Sequence, residues 1–310
     1  MYADAARRWL ARLQAVATPL ALVFLVAVTW SARDTLAQTW RQSNLYVLLG
    51  LLPLWAALHL LTPVYAHLLL RLDGLPLPYA TALRIHVARL PARYLPGGLW
   101  HTVTKAADFS VLGVAKENLT LLVFLENHIP FALALTLGSA ALQISNGATA
   151  PLATGLALGL LLLALPPLAL NRLAPLAHLR LGWRRYTALL VVSSVFWCVA
   201  AGTFASYWHA FELPAHAPLQ IAGSYLVSWA LGFAAVVAPQ GIGVFETSIA
   251  LLLNGSTPLA RLLAMAAGFR VFCLVADLLV YALYLVWRCF DAVRLRPAQN
   301  DGEDSRRSPP

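Results

Sequence analysis

The chain reads as an all-α, polytopic helical membrane protein of about seven to eight spans, and three observations lead there. Of its 310 residues, 60% are hydrophobic and only 11% are charged. A soluble chain averages roughly 25% charged residues, so this one has too little charge to clothe a water-facing surface. Several runs of about 20 residues contain no Asp, Glu, Lys or Arg, which is the length that crosses a hydrocarbon core. Finally, two Pro-Gly elements interrupt the apolar pattern at places where a simple span would not tolerate them.

Taken in order, a basic start (Arg7, Arg8, Arg12) precedes an apolar run over about 16–30. The exit Trp30-Ser31-Ala32-Arg33 makes a poor signal-peptidase site, so a retained first helix is expected. A second span is expected over about 45–70, ending at Arg71. A basic region with Arg84, Arg89, Arg93, Lys105 and Lys116 follows, too polar for a lipid-facing span. The third span covers about 119–142, then an uncharged turn over 143–150, then a fourth over about 151–170. Arg172, Arg180, Arg184 and Arg185 lead to a fifth over about 186–208 and a sixth over about 217–238. The piece 241–253 is too short to cross alone at 1.5 Å per residue. A last long span runs over about 258–287. The organisation is therefore a basic cytoplasmic segment (1–15), one transmembrane domain (16–290) and a polar tail (291–310) expected to be disordered.

The net charge of +9 follows the loops. Lys and Arg gather around 71–116, 172–185 and 288–296, while the loops near 143–150 and 210–216 have none. By the positive-inside rule both termini lie in the cytoplasm of an inner-membrane protein, with Arg33 and Arg41 as exceptions. No basic stretch is interleaved with aromatics on a soluble module, which excludes nucleic acid as a partner. The cysteines, Cys198, Cys273 and Cys289, sit in apolar segments; their odd number and spacing give neither a disulfide framework nor a metal site. No cofactor and no metal are expected.

The two interruptions read Arg93-Tyr94-Leu95-Pro96-Gly97-Gly98-Leu99-Trp100-His101 and Ala238-Pro239-Gln240-Gly241-Ile242-Gly243-Val244-Phe245-Glu246. Proline removes a backbone donor and glycine permits conformations closed to other residues, so each element breaks its helix. Unwound backbone at membrane depth survives only inside protein or beside a water-filled cavity. Each break is therefore expected to be a re-entrant or broken helix. The spacing points to an internal duplication. Pro96 stands nine residues before Lys105 and thirty before Glu126; Pro239 stands seven before Glu246 and thirty-one before Arg270. Each unit carries one charge just past its break and the opposite charge in the next helix, with signs exchanged. Transporters built from repeats place their binding sites at such breaks. The plainer alternatives are a loop at each Pro-Gly pair and a structural Glu246–Arg270 pair, since intramembrane charges find partners. A phosphate loop is excluded because no Gly-Lys-Ser/Thr follows. His101, Lys105 and Asp108 fall on one helix face; His59, His67, His128, Asn171 and Asp277 are further polar residues in apolar surroundings, expected to tie helices together.

On these residues the chain resembles the lysylphosphatidylglycerol synthase transmembrane-region family, a flippase-like group. Residues 239–246 fit the pattern Pro-x-Gly-x-Gly-x-x-Glu fully. Arg93 to Gly97 looks like that family's first motif, Lys105 fills the place of its following basic residue, and Arg270 matches a further position. The resemblance covers about residues 15–290. It implies an integral membrane protein that moves or presents lipids, with hopanoid, glycolipid or polyprenyl-linked relatives. The soluble aminoacyl-transfer domain of the larger members is not expected here, and with it lysyl-lipid synthesis.

The expected activity is accordingly transport, not catalysis. Helix starts at the breaks direct free N–H groups toward an anionic head group, with Lys105 and Arg270 supplying charge and Glu126 and Glu246 holding those cations when the site is empty. The expected binding set is Arg93, Pro96, Gly97, Gly98, Lys105, Glu126, Pro239, Gly241, Gly243, Glu246 and Arg270. Expected partners are a membrane lipid with an anionic head group and lipid- or glycan-synthesis enzymes. A membrane-embedded lipid-modifying transferase and a scaffold of a lipid-synthesis complex stand as alternatives.

Overall fold

The computed structural model describes residues 41, 43–72, 74–94, 100–172, 181–211, 216–235, 241–253, 255 and 257–294, the last four by backbone alone. The expected first helix over 16–30, the tail beyond 294, and residues 95–99 and 236–240 of the two Pro-Gly elements lie outside these residues; the tail expected from 291 begins as helix, since α10 continues to Arg294. What is described is a helical bundle with one two-residue antiparallel hairpin. In chain order the elements are α1 (Leu45–Ala57), a 3-10 turn (Leu58–Leu60), α2 (Pro63–Leu69), β1 (Arg71–Leu72), β2 (Leu75–Pro76), α3 (Tyr79–Ala88), a 3-10 segment (Leu90–Tyr94) and α4 (Trp100–Val111). Then come α5 (Lys116–Asn146), α6 (Ala150–Arg172), α7 (Trp183–His209), α8 (Pro218–Ala234), α9 (Val244–Leu252) and α10 (Leu259–Arg294).

Five helical stretches are long and apolar enough to cross a membrane: α1 through α2, α5, α6, α7 and α10. The second expected span is one column with a joint. Pro63 lacks the N–H that would bond back to residue 59, so the helix tightens over Leu58–Leu60 before α2 resumes. The third span is longer than its apolar core suggested, because α5 continues through Gln143 to Asn146 before Gly147 ends it with φ 85°.

Helix α5 is the spine. Glycines let two helices approach it closely, as small residues do where lipid offers no hydrophobic drive. A Cβ on Gly138 would stand 2.8 Å from Leu226 Cβ on α8, and one on Gly159 would stand 2.3 Å from Thr136 Oγ1 across the α5–α6 seam. Phe131 meets Phe233, and Gly223 meets Leu142, so α8 runs antiparallel to α5. The apolar core centres on Trp55, Phe204, Tyr207, Tyr225 and Phe269, with Phe204 and Phe269 edge to face at 4.8 Å between centroids.

Two helical hairpins enter this bundle from opposite ends. In the first, Arg84 lies over the Trp287 ring at 4.8 Å and Arg93 bonds Asp277, so α3 and the 3-10 segment climb antiparallel to α10. Helix α4 then runs antiparallel to the start of α5, with Phe109 bonded to Val114 and Lys105 against Glu126, and it touches the first arm where His101 meets His86 and Asp108 meets Arg89. In the second, α8 descends from the other end and α9 returns beside it, with Gly241 against Gly232 and Gly255 near His216. Each short return helix buries one side only. On α4, Thr102, Lys105 and Phe109 are buried while Val103 and Val111 are exposed; on α9, Phe245, Glu246, Ile249 and Ala250 are buried while Leu251 is exposed.

Candidate functional site

The second Pro-Gly element is a helix start built for close approach. Gly241 adopts φ 65°, and a Cβ there would sit 2.6 Å from Gly232 Cα and its carbonyl oxygen, which excludes any other residue. Gly243 adopts φ 86° and precedes the first turn of α9. Three residues on, Glu246 folds back so that Oε2 accepts the Gly243 N–H at 2.7 Å. A carboxylate in the first turn satisfies an orphan donor and opposes the helix dipole. The same carboxylate pairs through Oε1 with Arg270 Nε on α10. Arg270 also lies over the Phe245 ring at 4.9 Å. One donor that a free helix start would offer to a head group is thus taken by Glu246.

The first unit closes in the mirrored sense. Lys105 on α4 pairs with Glu126 on α5, and both side chains are under a tenth exposed. The expected grouping of His101, Lys105 and Asp108 divides among three partners. His101 Nε2 reaches the His86 carbonyl at 3.4 Å, Lys105 takes Glu126, and Asp108 receives a two-pronged bond from Arg89 with both contacts at 2.6 Å.

Arg93 has a partner that the motif spacing did not suggest. Its Nη1 donates to Asp277 Oδ2 at 3.3 Å, and the adjacent Tyr94 hydroxyl donates to the same oxygen at 2.7 Å. The other oxygen, Oδ1, accepts from His59 Nε2 at 2.9 Å. His59 Nδ1 in turn lies 3.1 Å from His86 Nε2. The first motif therefore begins by fastening its hairpin to the last span through Asp277, which is 2% exposed. Asp277 and His59 carried a signal as polar residues in apolar helices. His86 carried none, because its partner stands 27 positions away.

Arg93 and Arg270 both lie within electrostatic reach of Tyr225 and Cys273, so the two hairpins converge on the middle of α10. Of the remaining expected site residues, Pro96, Gly97, Gly98 and Pro239 lie outside the described residues. Among the described residues, no group of three His, Cys, Asp or Glu side chains converges as a metal site.

No protein family and no curated protein matches this chain.

Proposed function

We propose that the chain is a carrier of the cytoplasmic membrane that moves a lipid with an anionic head group, of phospholipid, hopanoid or polyprenyl type, across the bilayer. The observation that supports this reading best is the exchanged pair of charges. Lys105–Glu126 and Arg270–Glu246 occupy corresponding places in two units, each a return helix followed by a long span. The two hairpins enter from opposite ends, as inverted repeats of transporters do, and carriers bind substrate where such broken elements meet. Each cation rests on a carboxylate that a phosphate can replace as counter-ion. The resemblance to the lysylphosphatidylglycerol synthase transmembrane region points the same way.

On this reading the five long helices among the described residues are full crossings, and the two hairpins each enter and leave by one face. Arg71, Arg84, Arg89, Lys116, Arg172, Arg184, Arg185 and Arg288 then share one side, which is the cytoplasmic side by the positive-inside rule. Arg41 and Arg261 are the described cations at the other end.

The test is purified protein in zwitterionic vesicles doped with a fluorescent anionic phospholipid. Protein-dependent loss of protected label after external quenching supports the carrier, with the neutral-head-group analogue moving more slowly. No movement of either, together with a new lipid product by mass spectrometry, would replace it with a transferase.

A further inference from the structure

With Asp277 ionised and His59 neutral, the polar chain behind Arg93 takes one hydrogen arrangement, which follows from what each group can do. A carboxylate only accepts, so the His59 Nε2 that faces Asp277 Oδ1 at 2.9 Å carries the hydrogen. Neutral His59 then presents a lone pair at Nδ1, and His86 Nε2, 3.1 Å away, donates to it. That leaves a lone pair on His86 Nδ1. This atom is buried and has no hydrogen-bond partner among the described residues, and His86 is 3% exposed. A buried acceptor left open at the end of a chain of hydrogen bonds is a place to receive a proton. The two imidazoles, with nitrogens pointing at each other 3.1 Å apart, leave no room for a metal ion between them.

We propose that the His59–His86 pair is a proton-binding site, and that a proton taken up at His86 Nδ1 and relayed to His59 releases Arg93 from Asp277. The step balances as two transfers. A proton from the aqueous phase forms N–H at His86 Nδ1, while the His86 Nε2–H bond breaks and its proton forms N–H at His59 Nδ1. His86 ends neutral in its other tautomer, and His59 ends as an imidazolium against the Asp277 carboxylate. Relocation of the charge matters because of what surrounds the pair. From α4, Lys105 and His101 lie within electrostatic reach of His86, as does Arg93 from the 3-10 segment; Asp277 on α10 meets His59 with Tyr94 on its other oxygen, and Glu126 on α5 pairs with Lys105. Charge on His86 would meet two cations, whereas charge on His59 meets a carboxylate.

The consequence is electrostatic. Before uptake, Asp277 is the counter-ion of Arg93; afterwards it is neutralised by His59, and the site holds one positive charge in excess. An anionic head group supplies the missing charge. Proton and anionic lipid therefore bind with positive linkage, each raising the affinity of the other by the same factor. This consequence rests on the carrier reading, whereas the proton site stands without it.

Nitrogen-15 spectra of histidine-labelled protein in nanodiscs test the site directly. As the pH is lowered, His59 is expected to become doubly protonated while His86 changes tautomer, both with one midpoint. The variant His86→Leu removes the nitrogen that accepts the His59 Nδ1–H, so the His59 midpoint should move to lower pH, whereas His86→Gln, which cannot relay, should slow proton uptake. In vesicles, an imposed pH gradient should speed anionic-lipid movement by about tenfold, within the usual span of coupling energies, and His86→Gln should abolish the acceleration. Two neutral histidines across the whole titration in wild type would overturn the proposal, as would an unshifted His59 midpoint in His86→Leu. Intact titration without lipid movement would uphold the proton site and remove the carrier reading instead.

Discussion

Arg270 and Asp277 stand two helical turns apart on one face of α10, and each is held by a charge from a different hairpin. Seven residues return to nearly the same direction on an α-helix, about 10.5 Å further along its axis. Arg270 faces Glu246 on α9, which entered from one end; Asp277 faces Arg93 in the 3-10 segment after α3, which entered from the other. The last span is thus a shared post for two elements of opposite origin. A shift of either hairpin must exchange the counter-ion of a buried or half-buried charge, so the two hairpins are coupled through one helix.

Asp277→Asn tests how firmly the first hairpin is fastened. The amide retains the shape but removes the charge that Arg93, Tyr94 and His59 share. Breaking a buried pair by removing one partner typically costs about 3–5 kcal/mol, and the lower end applies here because the Arg93 side chain is 36% exposed. Unfolding by denaturant in detergent should show a loss of about 3 kcal/mol. Adding Arg93→Gln should recover part of it, since the cation that faced Asp277 is then gone as well. Strictly additive losses would mean that the two charges do not depend on each other.

The glycines of the second element make a sharper steric prediction. Gly241→Ala places a Cβ 2.6 Å from Gly232 backbone atoms at φ 65°, so α8 and the turn must separate. Gly232→Ala, on the same contact, meets its nearest atom at an ordinary 3.5 Å. Thermal unfolding should therefore fall strongly for Gly241→Ala and hardly change for Gly232→Ala. Equal effects would contradict the asymmetric packing of this turn.

Much of this arrangement was legible in one chain of letters because lipid imposes strong rules. Uncharged runs located the long helices, and Pro and Gly located the breaks. The pairing of Glu246 with Arg270 followed from the cost of leaving a charge alone at that depth. What was not legible is which distant element answers a given charge. Arg93 and Asp277 are separated by 184 positions, and no local period links them; only the climb of α3 against α10 brings them together. His86 was overlooked for the same reason. The joint at Pro63 was hidden differently, because hydropathy is blind to a missing donor inside a uniformly apolar run.

Side assignment has its own check. With the basic ends on the cytoplasmic side, a phosphatase that acts only outside the cytoplasm should be silent when fused after Pro310. The same enzyme inserted in the turn at Gly147 between α5 and α6 should be active, because that turn lies at the opposite end from Lys116 and Arg172. Activity at Pro310 together with silence at Gly147 would invert the orientation.

The Glu246–Arg270 pair decides between a structural clasp and a binding site. The singles should differ in stability. Arg270→Gln strands a carboxylate that is 2% exposed, whereas Glu246→Gln leaves a guanidinium that is 25% exposed and rests on Phe245. A stranded charge at this depth costs about 2.5–3.5 kcal/mol on insertion scales, so Arg270→Gln should approach that loss and Glu246→Gln should lose less. Glutamine at 246 also keeps an oxygen for the Gly243 N–H, so the start of α9 survives. The double variant strands nothing and should regain most of the stability. Transport then separates the roles. If the pair is only a clasp, the double variant moves anionic lipid at the wild-type rate. If Arg270 carries the head group, the double variant folds as well as wild type yet loses movement of the anionic lipid. We expect the second outcome, read as unfolding and quenching kinetics on the same four proteins. Wild-type transport in a stable double variant would withdraw Arg270 from the site.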